Sequence, residues 1–512
     1  MLSEISEKQS PNQVSRPWPH WSILLPLLLI YLALATYRLD HQSLWKDEIL
    51  SVRDSSSVST LWKKGQGPLH YALLHVWRNV TDSDAGLRML SVMIGALAVC
   101  LFYATCTTLF NQRVTLFGTL LFATSPFVIW YSQEVRYIIL MLATALLAMW
   151  SFRRLVDRGG LPLWFAYGGA VILAYASFVT NIFLPLVQGL YLLWSPSRRQ
   201  ILGKWLVCMM LVSIPFGIWV GNKLPKTVKE SSTTTGQQTA SIDPKQLSRG
   251  AANTFSPLML PYTFFAFSAG FSQGPSVQDL HQSRSLAMAL PYMPILVSIG
   301  ILFSILFITG LISLWHQPDV GKLISLWMFI PLCCVFVMAF VVTNLGFNVR
   351  YAAMVLPAYL LVLASGIAWF RHLAVQLIFL TAVLCSNGLS LANYYTDPYY
   401  ARADARSAVQ YLTEAYQAHD GILMVGSNTG FNYYSKGSLP FKQLDVRKSK
   451  DLDVKAALQR IAQDYHRLWV IEIRPWERDP KGKIKEALDD MYDRLEQKDF
   501  PGVVIRSYHI AP

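Results

Sequence analysis

The stretch SILLPLLLIYLALATYRLDHQSLWKDEILSV (22–52) joins a long apolar run to two adjacent acids. Its first part, residues 22–38, is close to the length of about 20 apolar residues that a membrane helix requires. No small-residue cleavage site follows it, so we interpret it as a retained first helix and not as a signal peptide. Asp47 and Glu48 follow nine residues after its end. The stretch therefore predicts a membrane helix that leads directly into a charged loop.

The composition of the whole chain agrees with a membrane protein. Of its 512 residues, 53% are hydrophobic and 15% are charged, whereas soluble domains carry about 25% charged residues. Ten further apolar segments follow the first, at 86–110, 114–131, 136–152, 162–179, 182–195, 205–221, 288–314, 323–344, 351–369 and 373–391. The predicted fold class is an α-helical polytopic membrane protein with eleven spans and a small soluble α/β domain at its C-terminus.

Basic residues in the short loops predict how these helices are oriented. With a cytoplasmic N-terminus, every cytoplasmic loop is short and basic, as the positive-inside rule requires. The basic residues of those loops are Arg113, Arg153, Arg154, Arg158, Arg198, Arg199, Lys204, Lys322 and Arg371. The longer segments 39–85, 222–287 and 394–512 then lie on the exoplasmic side. In a bacterium this predicts an inner-membrane protein that functions in the periplasm.

The excess positive charge lies in the membrane part of the chain. The net charge is +13, and residues 394–512 contribute only +1 of it, with 18 Lys and Arg against 17 Asp and Glu. Basic residues within a membrane domain orient helices, bind lipid headgroups or contact phosphates, so nucleic acid is not an expected partner. The predicted partners include the lipid bilayer.

The C-terminal segment has the pattern of an α/β domain. Apolar runs at 422–427, 467–473 and 502–510 predict strands, and residues 403–418 and 482–498 predict amphipathic helices. We therefore divide the chain into a transmembrane domain, 1–393, and an exoplasmic domain, 394–512.

The acids Asp47 and Glu48 are the first candidate site. Adjacent side chains point to different sides of any regular structure, so we expect the two acids to have different roles. The functional interpretation makes Asp47 a general base and Glu48 its binding or structural partner. An interfacial helix cap that pairs with Lys46 or Arg53 is the alternative.

Polar residues inside the apolar stretch SPFVIWYSQEVRYIILM (125–141) form the second candidate site. Gln133, Glu134 and Arg136 interrupt it, and charges at a membrane boundary are costly unless they are paired or face water. The alternative is a helix hairpin tip in which Glu134 pairs with Arg136.

Two further arginines lie where topology does not require them. Arg350, in TNLGFNVRYAAMVLPAY (343–359), and Arg88, at the start of the second span, are both predicted on the exoplasmic side. An arginine can hold a phosphate through two parallel hydrogen bonds. A snorkelling interface arginine is the alternative.

Two other features are less specific. The segment PYTFFAFSAGFSQGPSVQDLH (261–281) is too irregular for a helix and predicts a substrate-covering loop or an aromatic belt. The chain has no HExxH and no Cys/His ligand pattern, so no metal-binding residues are assigned. A divalent cation, Mg or Mn, on the carboxylates of Asp47 and Glu48 is one option, and no other cofactor is predicted.

Taken in order, these motifs resemble the membrane glycosyltransferases of family 39. The matching runs are SLWKDE (43–48), GPLHYALLHVW (67–77), LRMLSV (87–92), SPFVIWYSQEVRY (125–137), FNVRYAAMVLPAYLLVL (347–363) and NYYTDPYYARADAR (393–406). That family contains the bacterial protein mannosyltransferase-like proteins and the related lipid A aminoarabinose transferases, which share the GT-C fold.

The resemblance implies a specific activity. Such enzymes transfer a sugar from a polyprenyl-phosphate donor to a glycan, lipid or protein acceptor on the exoplasmic side, with inversion at the anomeric carbon. It implies that Asp47 is the catalytic base and that Glu48 assists it. Arg136, Arg350 and Arg88 are then candidates to bind the donor phosphate. Gln133, Glu134, Tyr137, Gln66 and His70 are candidates to contact substrate.

The sequence departs from the family pattern at two places. Gln66 stands in Gly65-Gln66-Gly67-Pro68 where His is usual, and His70 stands where Tyr is common. The run Tyr175-Ala176-Ser177-Phe178 replaces a Tyr-Thr-His-Tyr-like run. We expect altered sugar or acceptor specificity. A transporter or flippase for lipid-linked sugars, and a catalytically altered GT-C partner protein, are the alternative functions.

Overall fold

A computed structural model describes residues 20–57, 67–221, 258–282, 286–341, 347–447 and 453–510. Within these residues the chain forms a helical part followed by a smaller part with a five-stranded sheet. The helices of the first part are His20–Thr36, Lys46–Asp54, Pro68–Trp77, Asp84–Leu109, Gln112–Thr124, Pro126–Ser132, Ile138–Arg158, Leu161–Ser177, Phe183–Trp194, Leu202–Gly221, Met259–Ala269, Val277–Gln282, Met293–Trp315, Pro318–Val341, Leu356–Trp369 and Leu373–Thr396.

Each of the eleven predicted spans overlaps a helix, but the count of eleven membrane crossings is not confirmed. Seven helices of the described residues are long and apolar enough to cross a membrane. The pair Gln112–Thr124 and Pro126–Ser132, which is bent by 48°, makes an eighth if it is one span. The other three predicted spans are helices of only 10–17 residues, since Gly and Pro interrupt or bound their apolar runs. The chain is a multi-span membrane protein.

A break between two apolar helices places the polar residues 133–137 in a turn. Ser125 ends one helix and caps the next, accepting a hydrogen bond from the backbone N–H of Val128 at 3.4 Å, and Pro126 occupies the first turn. The helix Ile138–Arg158 begins only after this turn. The turn 133–137 therefore places buried polar side chains at the end of a bundle that is otherwise apolar.

The two acids lie on a short helix that crosses this end of the bundle. This helix, Lys46–Asp54, is called the DE helix here. Glu48 caps it by accepting a hydrogen bond from the backbone N–H of Trp45 at 3.2 Å. Such a cap satisfies one of the backbone donors that a helix start leaves free. The predicted cap is therefore present, although Glu48 pairs with neither Lys46 nor Arg53.

The C-terminal part is a mixed sheet covered by helices on both faces. Its strands are β1 Asp420–Gly426, β2 Lys442–Gln443, β3 Arg467–Ile473, β4 Asp493–Phe500 and β5 Val503–His509, in the order β2-β1-β3-β5-β4. β1 is parallel to β2 and β3, and β5 is antiparallel to β3 and β4. Its helices are Ala405–Ala415, Thr429–Ser435, Val454–Ala462 and Lys483–Met491.

Two predictions of local structure are wrong in part. The predicted helix 482–498 ends at Met491, and its second half is the edge strand β4. Every residue of β4 is exposed except the last, which is half-buried, so the strand lacks the alternating apolar pattern of a strand with one buried face. The segment 261–281 contains two helices, Met259–Ala269 and Val277–Gln282, separated by a turn that begins at Gly270 with φ of 71°.

The C-terminal part rests on the DE helix and its surroundings. The last membrane helix ends at Thr396, three residues beyond the predicted boundary at 393. The following linker donates and accepts hydrogen bonds across the interface: the Ser43 hydroxyl donates to the Ala403 carbonyl at 2.9 Å. The backbone N–H of Leu44 donates to the Tyr434 hydroxyl at 2.6 Å. The fold therefore brings chain segments 360 and 390 residues apart into one site.

Candidate active site

Asp47 lies between two arginines from different parts of the chain. Arg350 Nη1 donates a hydrogen bond to Asp47 Oδ2 at 3.1 Å, and Arg136 Nη2 lies 3.6 Å from the same oxygen. Arg136 Nη1 also donates to the Asp47 carbonyl at 3.2 Å and to the Ser51 hydroxyl at 3.3 Å. The Asp47 side chain is still 26% exposed. Its carboxylate is therefore paired and accessible.

These arginines keep Asp47 ionised. Burial raises the pKa of the Asp47 carboxyl, but the charges of Arg136 and Arg350 oppose it and hold the pKa below its usual range. A carboxylate that is charged at neutral pH can accept a proton. The geometry thus gives Asp47 the charge state of a base.

The same arginines retain unused hydrogen-bond donors. Among the described residues, the buried Nε atoms of Arg136 and Arg350 have no hydrogen-bond acceptor. A buried donor without a partner costs free energy, so such atoms indicate a missing acceptor. Two unsatisfied guanidinium donors beside one carboxylate fit an oxyanion such as phosphate.

Glu48, the next residue, has entirely different surroundings. Its side chain is fully buried, and Arg88 binds it through two parallel hydrogen bonds of 3.0 Å, from Nε and Nη2. The backbone N–H of Val135 donates to the same carboxylate at 3.0 Å. Burial raises the pKa of Glu48, and Arg88 and Arg402 outweigh that effect, so the pKa is lowered.

The guanidinium of Arg88 is fully occupied. Besides Glu48, it donates to the carbonyls of Leu39 at 3.0 Å, Gln42 at 2.7 Å and Ser43 at 3.1 Å. All its nitrogens therefore have acceptors within the protein. Arg88 was predicted to bind the donor phosphate, but this geometry leaves it no free donor for that role.

Arg402, from the linker before the C-terminal domain, joins the two predicted acidic sites. It donates to Glu48 Oε2 at 3.2 Å and to Glu134 Oε1 at 2.7 Å. Its guanidinium also lies over the rings of Trp45 and Trp130, 5.7 and 5.0 Å from their centroids. Arg402 is not among the residues predicted for the site, although it lies in the run 393–406 that carries part of the family resemblance.

Glu134 pairs with Arg402 and not with Arg136. Trp130 Nε1 donates to Glu134 Oε1 at 2.8 Å, while Oε2 is buried without a partner among the described residues. Burial raises the pKa of Glu134 to about 6, although Arg402 opposes this. The alternative of a hairpin tip held by a Glu134–Arg136 pair is not what the structure shows.

The buried charges of the site do not balance. Asp47, Glu48 and Glu134 face four arginines, Arg88, Arg136, Arg350 and Arg402, all of them largely buried. Uncompensated buried charge is costly, so the excess of positive charge favours an anionic ligand. The unpaired Nε atoms place that excess at Arg136 and Arg350.

The remaining predicted contact residues lie around this centre. Gln133 donates to the carbonyls of Ala35 and Tyr37, both at 2.9 Å, and so ties the turn 133–137 to the first helix. Tyr137 is buried and stacks on Phe178, with ring centroids 4.3 Å apart. Gln66 lies outside the described residues.

His70 is buried close to Arg136. Burial and the charge of Arg136 lower its pKa to about 3, so the imidazole is neutral at physiological pH. Its Nε2 has no hydrogen-bond partner among the described residues. His70 therefore remains a candidate for contact with a polar ligand.

Gly67, which follows Gln66 in the chain, packs against the second departure from the family pattern, 175–178. Gly67 has φ of 68°, and a Cβ atom there would lie 2.7 Å from the Ser177 carbonyl oxygen and 3.5 Å from Tyr137 Cβ. Phe178, beside Ser177, stacks on Tyr137 and also on Tyr351, with centroids 5.7 Å apart in the second pair. Both departures therefore adjoin the residues that follow Arg136 and Arg350.

The contacts of the acids also bear on the predicted divalent cation. The described residues contain no group of three or more His, Cys, Asp and Glu side chains placed to hold a metal ion. Both oxygens of Glu48 accept hydrogen bonds from arginines or backbone N–H groups. The two carboxylates thus do not fit a shared metal site, and a cation at Asp47 stays a prediction.

Comparison with protein families gives one match. Residues 66–219 match the family described as dolichyl-phosphate-mannose-protein mannosyltransferase. No curated protein matches the chain by sequence.

Comparison with solved structures covers almost the whole chain. The structure is similar to that of ArnT from Cupriavidus metallidurans bound to undecaprenyl phosphate, with a TM-score of 0.56 and 11% identity, over 96% of this chain and 98% of ArnT. It is also similar to the archaeal oligosaccharyltransferase AglB from Archaeoglobus fulgidus in complex with an inhibitory peptide and a dolichol-phosphate. That match has a TM-score of 0.54 and 11% identity, over 95% of this chain and 74% of AglB. The resemblance found in the sequence is therefore confirmed: the chain has the GT-C fold and is similar to protein mannosyltransferase-like membrane glycosyltransferases.

Proposed function

We propose that the protein is an inverting glycosyltransferase that moves a sugar from a polyprenyl-phosphate donor to an acceptor hydroxyl. The observation that carries this proposal is the placement of the accessible Asp47 carboxylate between Arg350 at 3.1 Å and Arg136 at 3.6 Å, each with an unpartnered Nε. The site thus combines a base with two cations for an anionic leaving group. ArnT and AglB, which share the fold, have structures with undecaprenyl phosphate and dolichol-phosphate.

The reaction follows from these positions. Asp47 accepts the proton of the acceptor hydroxyl as its oxygen attacks the anomeric carbon. The bond between that carbon and the phosphate oxygen breaks, and the electron pair leaves with the polyprenyl phosphate. Arg136 and Arg350 stabilise the charge that develops on the phosphate, because their donors are in place before the reaction.

Donor binding would also activate the base. Without a phosphate, both arginines face Asp47 and lower its pKa. When they turn to a phosphate, less positive charge acts on Asp47, so its pKa rises toward the value of a more effective base. We assign Arg88 to holding Glu48, and Glu48 to holding the DE helix on the turn 133–137.

The orientation of the chain is part of the proposal. The basic short loops predict a cytoplasmic N-terminus, which places the DE helix and the C-terminal domain on the exoplasmic side. In a bacterium the reaction would take place at the periplasmic face of the inner membrane. Polyprenyl-phosphate sugars presented on that side would be the donors.

The test measures sugar release from defined donors. Purified protein would be given radiolabelled undecaprenyl-phosphate mannose, glucose, galactose and aminoarabinose, and transfer to cell-envelope material or to water would be followed. We expect one donor to be used and Asp47→Asn to lose at least about 100-fold of the activity. Asp82→Asn, an exposed acid of the same loop, is the matched control and should behave as wild type.

Two results would overturn the proposal. One is that Asp47→Asn transfers as well as wild type. The other is that no donor of the panel is consumed while labelled lipid crosses a vesicle membrane containing the protein, which would favour the transporter.

A further inference from the structure

In the sheet of the C-terminal domain, the chain passes from β1 to β2 on one side and then crosses to β3 on the other side of β1. β1 is parallel to both of its neighbours, with β2 on one side and β3 on the other. The helix after β1 contributes Phe431 to the core on one face of the sheet, and the helix after β3 contributes Ile484 and Leu488 to the core on the other face. In such sheets, ligands bind in the crevice outside the carboxyl ends of the two strands.

The carboxyl end of β3 lies beside the DE helix. The segment after β3, Pro475–Glu477, reaches Lys46: Lys46 Nζ donates to Glu477 Oε2 at 2.9 Å. Arg474 Nη1 donates to the other oxygen of Glu477 at 3.2 Å. Arg474 is also close enough to Asp47 for its charge to lower the pKa of that carboxyl. The place where such a sheet binds ligands therefore adjoins the proposed base.

The backbone at this place is strained. Arg474 has φ of 50°, in the left-handed region that a non-glycine residue rarely adopts. Gly426, at the end of β1, has φ of 93°, and a Cβ atom there would overlap the carbonyl oxygens of Ile473 and Arg474. Strain of this kind persists where the surrounding structure enforces it, and it is concentrated at ligand sites.

The side chains of the crevice are suited to a polyhydroxylated ligand. Two basic residues, Lys46 and Arg474, flank the acid Glu477, and all three are only partly buried. They can therefore donate hydrogen bonds to hydroxyl groups and accept hydrogen bonds from them. Trp476 lies between Arg474 and Glu477 and is half-buried. An indole offers an apolar face to the C–H groups of a sugar ring and an N–H to its hydroxyls. Ser427 and Asn428 follow β1, and the backbone N–H of Ser427 donates to the Ile473 carbonyl at 2.7 Å.

We propose that the crevice formed by 427–428, 474–477 and Lys46 binds a carbohydrate acceptor and presents its hydroxyl to Asp47. This inference rests on the proposed function and adds to it the chemical class of the acceptor. It also gives the C-terminal domain a role in the site: Arg474 and Trp476 position the acceptor, while Arg136 and Arg350 hold the donor.

The first experiment captures the ligand of the crevice. The photo-crosslinking amino acid p-benzoylphenylalanine would replace Asn428, with Leu495, which is exposed on the edge strand β4, replaced in a control. Both full-length proteins would be illuminated in membranes of the cell that makes them and examined by mass spectrometry. We expect hexose-containing adducts at position 428 only. Peptide adducts at 428, or no adducts beyond those at 495, would overturn the carbohydrate assignment.

The second experiment separates acceptor binding from donor chemistry. Trp476→Ala, Trp476→Phe and Arg474→Gln would be compared with Arg494→Gln, an exposed arginine on β4. We expect Trp476→Ala and Arg474→Gln to lower transfer to cell-envelope glycan at least ten-fold, through a higher KM for the glycan. Hydrolysis of the undecaprenyl-phosphate sugar by water should stay unchanged in Trp476→Ala, and Trp476→Phe should retain most of the transfer.

The outcomes distinguish the two proposals. If wild type does not hydrolyse any donor, the proposed function fails, and the crosslinking result still reports on the crevice. If donor hydrolysis is normal but transfer by Trp476→Ala and Arg474→Gln equals that of wild type, the acceptor site fails. A parallel loss of hydrolysis and transfer in Trp476→Ala would also overturn it, since the crevice would then only support the fold.

Discussion

The carboxylates of Asp47 and Glu48 differ in every contact that they make, although they are neighbours on one helix. Glu48 is fully buried and accepts hydrogen bonds from Arg88, Arg402 and two backbone N–H groups. Asp47 is 26% exposed and faces Arg136 and Arg350, whose Nε atoms have no acceptors among the described residues. Fully satisfied polar networks fix a structure, whereas unsatisfied donors leave capacity for a ligand. The difference indicates that Glu48 holds the site and Asp47 acts in it.

The largest effect is expected from breaking the Glu48 network. Arg88→Met should lower the free energy of unfolding by about 3–5 kcal/mol, because it leaves a buried carboxylate without its principal partner. Chemical unfolding in detergent would measure this change. Arg53→Met, at an exposed site on the DE helix, should change it little. Equal stability of the two variants would contradict the structural role of Glu48.

The next largest effect is expected at the partly exposed acid, Asp47, and its partner Arg350. Arg350→Gln should lower transfer by about 10²–10³-fold, the loss seen when one preorganised donor to a developing charge is removed. Because Arg350 lowers the pKa of Asp47, the acid limb of the pH–rate profile should also move to higher pH. Arg494→Gln, an exposed arginine on β4, serves as the control. An unchanged rate and an unchanged acid limb would remove Arg350 from the site.

The sequence predicts those helices, strands and turns that depend only on contiguous residues, and it fails for the others. The apolar runs predict the helices, and the interruption at Gln133–Arg136 predicts a polar turn, because both are properties of contiguous residues. The strand β4, DRLEQKDF, is not predictable in this way, since its exposed edge position requires no apolar alternation. Local patterns also do not determine the number of membrane crossings, because that number depends on how long each helix becomes in the packed bundle.

The site shows the same limit. The adjacency of Asp47 and Glu48 predicts that they face different surroundings. It does not say which arginine each acid meets, since Arg350 and Arg402 are more than 300 residues away in the chain. Arg88 and Arg350 look alike in the sequence, but one is enclosed by three carbonyls and Glu48, and the other keeps a free donor. Such differences arise only from tertiary packing.

A smaller effect is expected when Arg402, in the linker before the C-terminal domain, loses its ion pairs. Arg402→Gln should destabilise docking of the C-terminal domain by about 1.5–3 kcal/mol, the range for hydrogen bonds to charged groups. Limited proteolysis between residues 396 and 420 would measure the opening of this interface. Arg406→Gln should have the weaker effect, because Arg406 itself is 33% exposed, although it pairs with Asp84 as well as with Asp40. The reverse order would contradict the central place of Arg402.

The smallest effect is a pH dependence of stability. The pKa of Glu134 is raised from 4.5 to about 6, so its contribution to stability is present below pH 4.5 and is lost as the pH rises through about 6. Glu134→Gln should therefore flatten the pH dependence of the melting temperature between pH 4.5 and about 7. Glu414→Gln, at an exposed position, should keep the wild-type dependence. A wild-type profile for Glu134→Gln would show that Glu134 does not titrate in this range.

The central claim is that two neighbouring carboxylates have separate functions, and one paired measurement tests it most directly. Transfer from the undecaprenyl-phosphate sugar and the melting temperature would be measured side by side for Asp47→Asn and Glu48→Gln. We expect Asp47→Asn to abolish transfer and to lower the melting temperature much less than Glu48→Gln does, because Asp47 is partly exposed. Glu48→Gln should lower the melting temperature sharply, because Arg88 and Arg402 would lose their buried counter-charge. If Asp47→Asn keeps its transfer activity, or if both variants lose activity and stability together, the division between the two acids is wrong.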